Sequence, residues 1–256
     1  MLLTDVLTSC DLNPLYLNFI PSFIKAWKIL FPTINIHIIL IANEIPHNFL
    51  HLQQYIHLFK PLPNIPTSFT SQNIRLLYPS LLNKTTGGIL ITDIDIIPMN
   101  SKYYIDNIQN IDNNKFVCYR QLNCVGPNEM VICYNIAHYN IWQNIFKIIT
   151  INDINIHLFY LYNNPKYIGH KNMPYWITDQ LYLYEKTQLW NNYYNNLIIL
   201  NDFYTGFKRL DRNNLPNLSS ISSLIINKYY TDYHMLRPYD TFKNTNDAII
   251  ELLNKQ

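Results

Sequence analysis

The chain has 256 residues, 48% of them hydrophobic and 14% aromatic with 21 Tyr, a composition that excludes a disordered or low-complexity protein despite its many Asn. Its formal net charge is only +2, and its 19 Lys and Arg are scattered along the sequence, which argues against a nucleic-acid partner. The length suits one α/β domain spanning residues 1–256.

The four Cys (Cys10, Cys118, Cys124, Cys133) lack C-x-x-C spacing and are expected as small buried hydrophobes, with no disulfide and no zinc. The start MLLTDVLTSCDLN has no basic stretch followed by a long apolar run, so no signal peptide is expected. No apolar stretch reaches the roughly 18 residues of a spanning helix. A soluble intracellular protein is the expectation.

In chain order, residues 3–9 read as a strand, and Asn13-Pro14 as a cap with Pro in the first helical turn, opening a helix to about Leu30. The β-branched run INIHIILIA (34–42) predicts a buried strand, completing a β-α-β unit. A helix over 48–59, an extended Pro-rich connection over 60–69 and a helix over 71–82 broken at Pro79 follow. GGILITDIDIIPM (87–99) predicts a turn feeding a buried strand with an acidic end. Ser101 is expected to cap a helix to about Asn110, with strands at 116–119 and 130–134 and helices at 138–149 and 153–163. After a loop at 163–176 come a helix opening at Thr178, a strand at 197–200, irregular chain at 205–214 and 229–240, and a terminal helix. This alternation predicts helices packed on a largely parallel sheet. With five Gly in the chain, no G-x-G-x-x-G or P-loop is available, so a phosphate ligand would need a metal or basic side chains.

Asp93 and Asp95 in ILITDIDII carry the chemistry. Two residues apart in an extended segment, they project to one face about 6.6 Å from each other. Their repulsion, about 1–4 kcal/mol, is relieved by a shared cation. Oxygen ligands at the end of an apolar strand suit Mn²⁺ or Mg²⁺ carrying a diphosphate. The plainer alternative is a pair of ordinary loop residues bonded to nearby amides.

IRLLYPSLLNKTTGGILITDIDIIPMN resembles the arginine-plus-DxD region of GT-A glycosyltransferases, especially the glycogenin and lipopolysaccharide galactosyltransferase group, and it is similar to small glycosyltransferases of large DNA viruses. The resemblance runs in order along most of the chain and implies a Rossmann-like nucleotide-diphospho-sugar transferase fold. The implied function is metal-dependent transfer from a nucleotide-sugar donor, with UDP favoured, to a glycan, protein or small-molecule acceptor. It also implies a nucleotide-binding half over residues 1–100, and an acceptor-binding half with a closing carboxyl-terminal segment over 101–256.

Residue by residue, the resemblance implies that Asp93, Asp95 and His234 hold the metal, and that Arg237, ahead of Pro238, holds the diphosphate. Leu236 and Arg237 stand where the family usually has Gly and Lys. Arg75 is placed near the donor pyrophosphate or sugar, and Thr8, Ser9 and Asp11 at the nucleoside. Asp179 and Gln180 of TDQ are placed beneath the reacting sugar. Each residue also has an ordinary structural alternative: a core histidine for His234, a surface helix residue for Arg75, a turn for Asp11 and a helix start for Thr178 and Asp179. Tyr175 and Trp176 can stack on a sugar or belong to the core.

Two other functions share these features. A haloacid-dehalogenase-type phosphohydrolase also places D-x-D at a strand end, but Ile96-Ile97-Pro98 replaces its hydroxylic residue and its distal acidic pair is missing. A catalytically silent sugar-binding or virion structural protein would keep the fold without turnover.

Overall fold

The computed structural model describes residues 1–121, 126, 128–170 and 173–256. Cys124 and part of the 163–176 loop lie outside them. Strand β1 (Leu3–Asp11) is followed by helix α1 (Pro14–Leu17), opened as expected by the Asn13 side chain accepting from the Leu15 amide. The single helix expected to Leu30 is divided, because α2 (Ile20–Leu30) begins after a break at Asn18 and Phe19. Its Phe23 and Trp27 are fully buried, and Trp27 meets Phe31 and Tyr104 with ring centroids 5.3 and 5.5 Å away. Each such aromatic contributes about 1.5–3 kcal/mol of burial.

Strand β2 (Asn35–Ile41) is nearly all buried, as its β-branched run predicts. The helix expected over 48–59 is instead a 3₁₀ segment, His47–Tyr55, followed by strand β3 (Ile56–Phe59), which pairs parallel with β2. Backbone pairing along the edge of β2 prevails here over a weak helical pattern. Helix α3 (Thr67–Leu77) starts four residues earlier than expected, directly after Pro66, and the break at Pro79 becomes the 3₁₀ turn Tyr78–Leu81.

Strand β4 (Gly88–Ile91) is wholly buried and is followed, after Asp93–Asp95, by β5 (Ile96–Pro98). Gly87 and Gly88 are required by close approach, since a Cβ on Gly87 would run into the Leu2 carbonyl and one on Gly88 into Ile136. In α4 (Ser101–Asp106) the cap is Asn100, not Ser101. Strand β6 (Phe116–Gln121) matches expectation, whereas the strand expected over 130–134 lies further on, at β7 (Asn135–His138).

Helices α5 (Tyr139–Phe146) and α6 (Ile151–Asn163), the short β8 (Gly169–His170) and β9 (Met173–Pro174), α7 (Thr178–Tyr194) and β10 (Leu197–Asn201) follow. The last part comprises α8 (Asp202–Thr205), β11 (Arg209–Asp211), α9 (Leu218–Ile226), β12 (Asp232–His234) and α10 (Tyr239–Leu253).

Among the described residues the main sheet has seven strands in the order β10-β6-β7-β4-β1-β2-β3, parallel except at β7. Helices flank it, giving the expected α/β layers with a mostly parallel centre. A second sheet, β11-β12-β5, joins two segments expected as irregular to the strand that follows the acidic pair. No helix among the described residues is long and apolar enough to cross a membrane.

Candidate active site

A cavity of about 640 Å³ opens where β1 and β4 end side by side, the place where open parallel sheets collect ligands. Asp93, Ile94 and Asp95 line it from the turn between β4 and β5, closed by the Ile96 amide donating to the Asp93 carbonyl. The extended geometry that would project both carboxylates together is therefore absent. Each carboxylate instead meets its own guanidinium, Asp93 that of Arg75 and Asp95 that of Arg212, with Arg212 Nη1 2.7 Å from Asp95 Oδ2. Two arginines relieve the repulsion that a shared cation was expected to relieve.

Arg75 is not a surface residue of α3: its side chain is 12% exposed and bridges Asp93 to Asp179, with Nη2 2.8 Å from Asp179 Oδ2. Asp179 is buried and also accepts from Gln72 Nε2 at 3.1 Å. Burial raises its pKa, and the Arg75 charge opposes that rise. The position before Thr178 that caps α7 is Ile177, and no side chain caps there. Asp179 thus serves both the arginine and the helix start, where it accepts from the Gln180 amide at 2.9 Å, and Gln180 lines the cavity beside it.

Cys133 is buried as expected, with its thiol pushed up to about 11 by burial, yet it also donates to Asp93 Oδ2 with Sγ 3.0 Å away. Cys10 and Cys118 are buried free thiols.

Asp95 is buried, and three cationic or potentially cationic groups face its Oδ2: Arg212, His234 Nε2 at 3.4 Å and Arg237 Nη1 at 3.9 Å. Burial would raise its pKa, but His234 and Arg212 outweigh that and hold it down at about 2. His234 is brought there by β12, where it pairs with Ile96 of β5 and with Asp211 of β11. Its Nδ1 lies 3.4 Å from Asp211 Oδ2. The His234 ring is therefore held by one carboxylate behind it and faces another, and the core-histidine alternative does not hold. Arg237 reaches the Tyr16 hydroxyl at 2.8 Å.

At the nucleoside end, Ser9 and Asp11 line the cavity, with the Ser9 hydroxyl donating to the Ser71 carbonyl. Asp11 accepts from the Asn13 amide and from Thr67 Oγ1 at 2.8 Å. Thr8 is fully buried, its hydroxyl has no partner among the described residues, and it does not line the cavity. Strand alternation sends it to the face opposite Ser9. Trp176 lines the mouth and is 52% exposed, while Tyr175 (φ 68°) stacks on Tyr162 with centroids 5.0 Å apart.

Gln72, Cys133, Asp211, Arg120, Arg209 and Arg212 are site residues that the sequence reading does not single out. A compositional signal points to the arginines. The chain has only five Arg among its 19 basic residues, and all five (Arg75, Arg120, Arg209, Arg212, Arg237) line this cavity, whereas none of the described Lys does. Lys supplies charge elsewhere, but here the planar fork that matches phosphate and carboxylate oxygens is used throughout. Arg120 and Arg209 are oriented by Asp202 and Asp232, at 2.9 and 2.6 Å.

For a divalent ion, Asp95 and His234 form a suitable edge, one hard oxygen and one imidazole nitrogen, with Asp211 fixing the ring from behind. Asp93 is committed to Arg75 and Cys133. Among the described residues no three His, Cys, Asp or Glu side chains converge on one point.

No protein-family model matches the chain, and no curated protein matches its sequence. Solved structures do. A galactosyltransferase LgtC in complex with donor and acceptor sugar analogues aligns over 98% of this chain and 95% of its own, at 14% identity and a TM-score of 0.51. An LgtC active-site mutant aligns over 97% and 95%, at 14% identity and a TM-score of 0.52. The fold is GT-A. A glycosyltransferase involved in glycosylating the major capsid of PBCV-1 aligns over 97% of this chain and 98% of its own at 8% identity, with a TM-score of 0.47; the fold assignment rests on the first two.

Proposed function

We propose that the protein is a glycosyltransferase that takes a sugar from a nucleotide-diphosphate donor, UDP favoured, and passes it to a glycan, protein or small-molecule acceptor. The observation that carries this reading is the gathering of every arginine in the chain around paired carboxylates at the strand ends of a GT-A fold. Guanidinium forks suit a diphosphate, and they stabilise the charge that develops on it as the sugar leaves.

Residues 1–100 form the nucleotide half of this reading, with Ser9 and Asp11 at the nucleoside, and residues 101–256 the acceptor half. Thr8 contributes through its backbone, since its side chain is buried away from the cavity. Arg237, partly exposed and held by a phenol hydroxyl, is the diphosphate clamp. Arg75, Asp179 and Gln180 form the floor that orients the donor sugar, and Trp176 offers a ring face at the mouth. Asp95 and His234 are the residues that would hold Mn²⁺ or Mg²⁺, which when bound neutralises charge on the leaving diphosphate.

Hydrolysis of a panel of nucleotide-sugars, with and without Mn²⁺, tests the reading. Turnover of one donor is expected, and donor binding by calorimetry should lose its Mn²⁺ dependence in Asp95→Asn. Tight donor binding without turnover on any donor or acceptor would assign a silent sugar-binding protein of the same fold instead.

A further inference from the structure

The carboxylate best placed to meet a metal ion already has a cation on it. Arg212 Nη1 sits 2.7 Å from Asp95 Oδ2, closer than His234 or Arg237, and also donates to the Met235 carbonyl at 3.3 Å. The pair is largely withdrawn from solvent, with side chains 14% and 7% exposed. The Arg212 backbone belongs to the 3₁₀ turn Arg212–Asn214, whose first residue is capped by Asp211 Oδ1 accepting from the Asn213 amide at 2.8 Å. The same Asp211 carboxylate faces His234 through Oδ2. The turn and the imidazole are thus fixed together, and an exchange of partners at Asp95 would have to come from the long Arg212 side chain.

We infer that Arg212 is a tethered counter-ion that competes with a divalent ion for Asp95 and is handed over to the diphosphate when donor and metal bind together. A guanidinium stripped of its carboxylate in a buried setting is costly unless another anion receives it. Metal alone offers no such anion, because it brings further positive charge to a carboxylate already faced by Arg212 and Arg237. A nucleoside diphosphate supplies one, beside Arg237, and its oxygens accept the fork that Asp95 releases. Metal and diphosphate should therefore bind with positive coupling, each removing the obstacle to the other. In the free chain Arg212 keeps the charge of Asp95 satisfied, so the cleft is stable without metal.

The test is binding of Mn²⁺ alone, with no nucleotide, followed as free Mn²⁺ by electron paramagnetic resonance at pH 7. In Arg212→Gln the competitor is gone, and Mn²⁺ should bind at least about tenfold more tightly than to the wild type, within the range of ordinary coupling energies. Arg212→Lys, which keeps the cation without the fork, should fall between the two and controls for disturbed folding. Saturating UDP should tighten Mn²⁺ binding to the wild type and do so much less in Arg212→Gln. Equal, weaker or absent Mn²⁺ binding in Arg212→Gln overturns the inference. The identity of the diphosphate rests on the proposed function, but the Mn²⁺ comparison uses no nucleotide. Tighter Mn²⁺ binding by Arg212→Gln in a protein that ignores UDP would therefore count against the glycosyltransferase reading and for the counter-ion.

Discussion

Replacing Asp179 by Asn separates a structural from a functional role at the cavity floor. Asp179 is 1% exposed and accepts from Arg75 at 2.8 Å and Gln72 at 3.1 Å, and Asn is nearly isosteric. The loss is thus one hydrogen bond between charged groups, roughly 1.5–3 kcal/mol. Two features reduce it. Arg75 retains Asp93, so no guanidinium is orphaned, and removing the carboxylate relieves the burial that raises the Asp179 pKa. A net destabilisation of about 1–2 kcal/mol follows, or about 2–8 °C in Tm for a chain of this size. Turnover should fall much further, at least about 100-fold, if the proposed function holds, because the charge that orients Arg75 beneath the sugar is then removed from the floor. Thermal melts and donor turnover on the same preparation check both. A lowered Tm with normal turnover would refute the sugar-facing assignment, and an unchanged Tm would mean that the Arg75 bridge contributes nothing.

Arg237→Ala should weaken UDP binding in calorimetry by roughly 10- to 150-fold, the range of one lost charged hydrogen bond of 1.5–3 kcal/mol, while leaving the melting temperature nearly unchanged. The half-buried His57, 3.0 Å from His37, has its pKa lowered from 6.5 to about 4 by burial and by the neighbouring imidazole. The unfolded chain therefore binds more protons between those values, and stability should fall as pH drops from 6.5 toward 4. After discounting for solvent at a partly exposed ring, the loss is about 1–2 kcal/mol, and urea melts at several pH values should show His57→Gln flattening that slope. Gly87→Ala places a methyl against the Leu2 carbonyl at the β1–β4 junction and should cost about 1–3 kcal/mol in the same melts, whereas a neutral result would mean that the strands can part there without penalty.

Much of the fold was legible because β2 and β4 announce themselves as buried apolar runs, β1 as a short apolar-leaning strand and Asn13-Pro14 as a helix start. β3, β11 and β12 were not, since strands of three or four residues carry almost no period and exist through their pairing partners. The same difference divides the site. Asp93, Asp95, Arg75, Asp179 and His234 stood out by motif and order, and the structure gathers them in one cleft. Arg209 and Arg212 sit in a stretch that reads as irregular loop, more than 110 residues from the carboxylate that Arg212 meets, and no local pattern reports that distance. Basic residues scattered in sequence proved, for arginine, to be clustered in space.

The small β11-β12-β5 sheet has a bearing on when the cleft comes into being. Residues 229–240 were expected as irregular chain, but Asp232–His234 is hydrogen-bonded on both edges, and Tyr233 is buried with its hydroxyl on Asn246. The contacts that define the cationic end join Asp95 to Arg212, His234 and Arg237, all closed over long stretches of chain and therefore slow to form. The amino-terminal β-α-β unit precedes this sheet in the chain, and the cationic end of the cleft is complete only once β12 has paired with β5 and Arg237 has reached Asp95. A chain that stops short of β12 lacks both His234 and Arg237, two of the three groups that face Asp95.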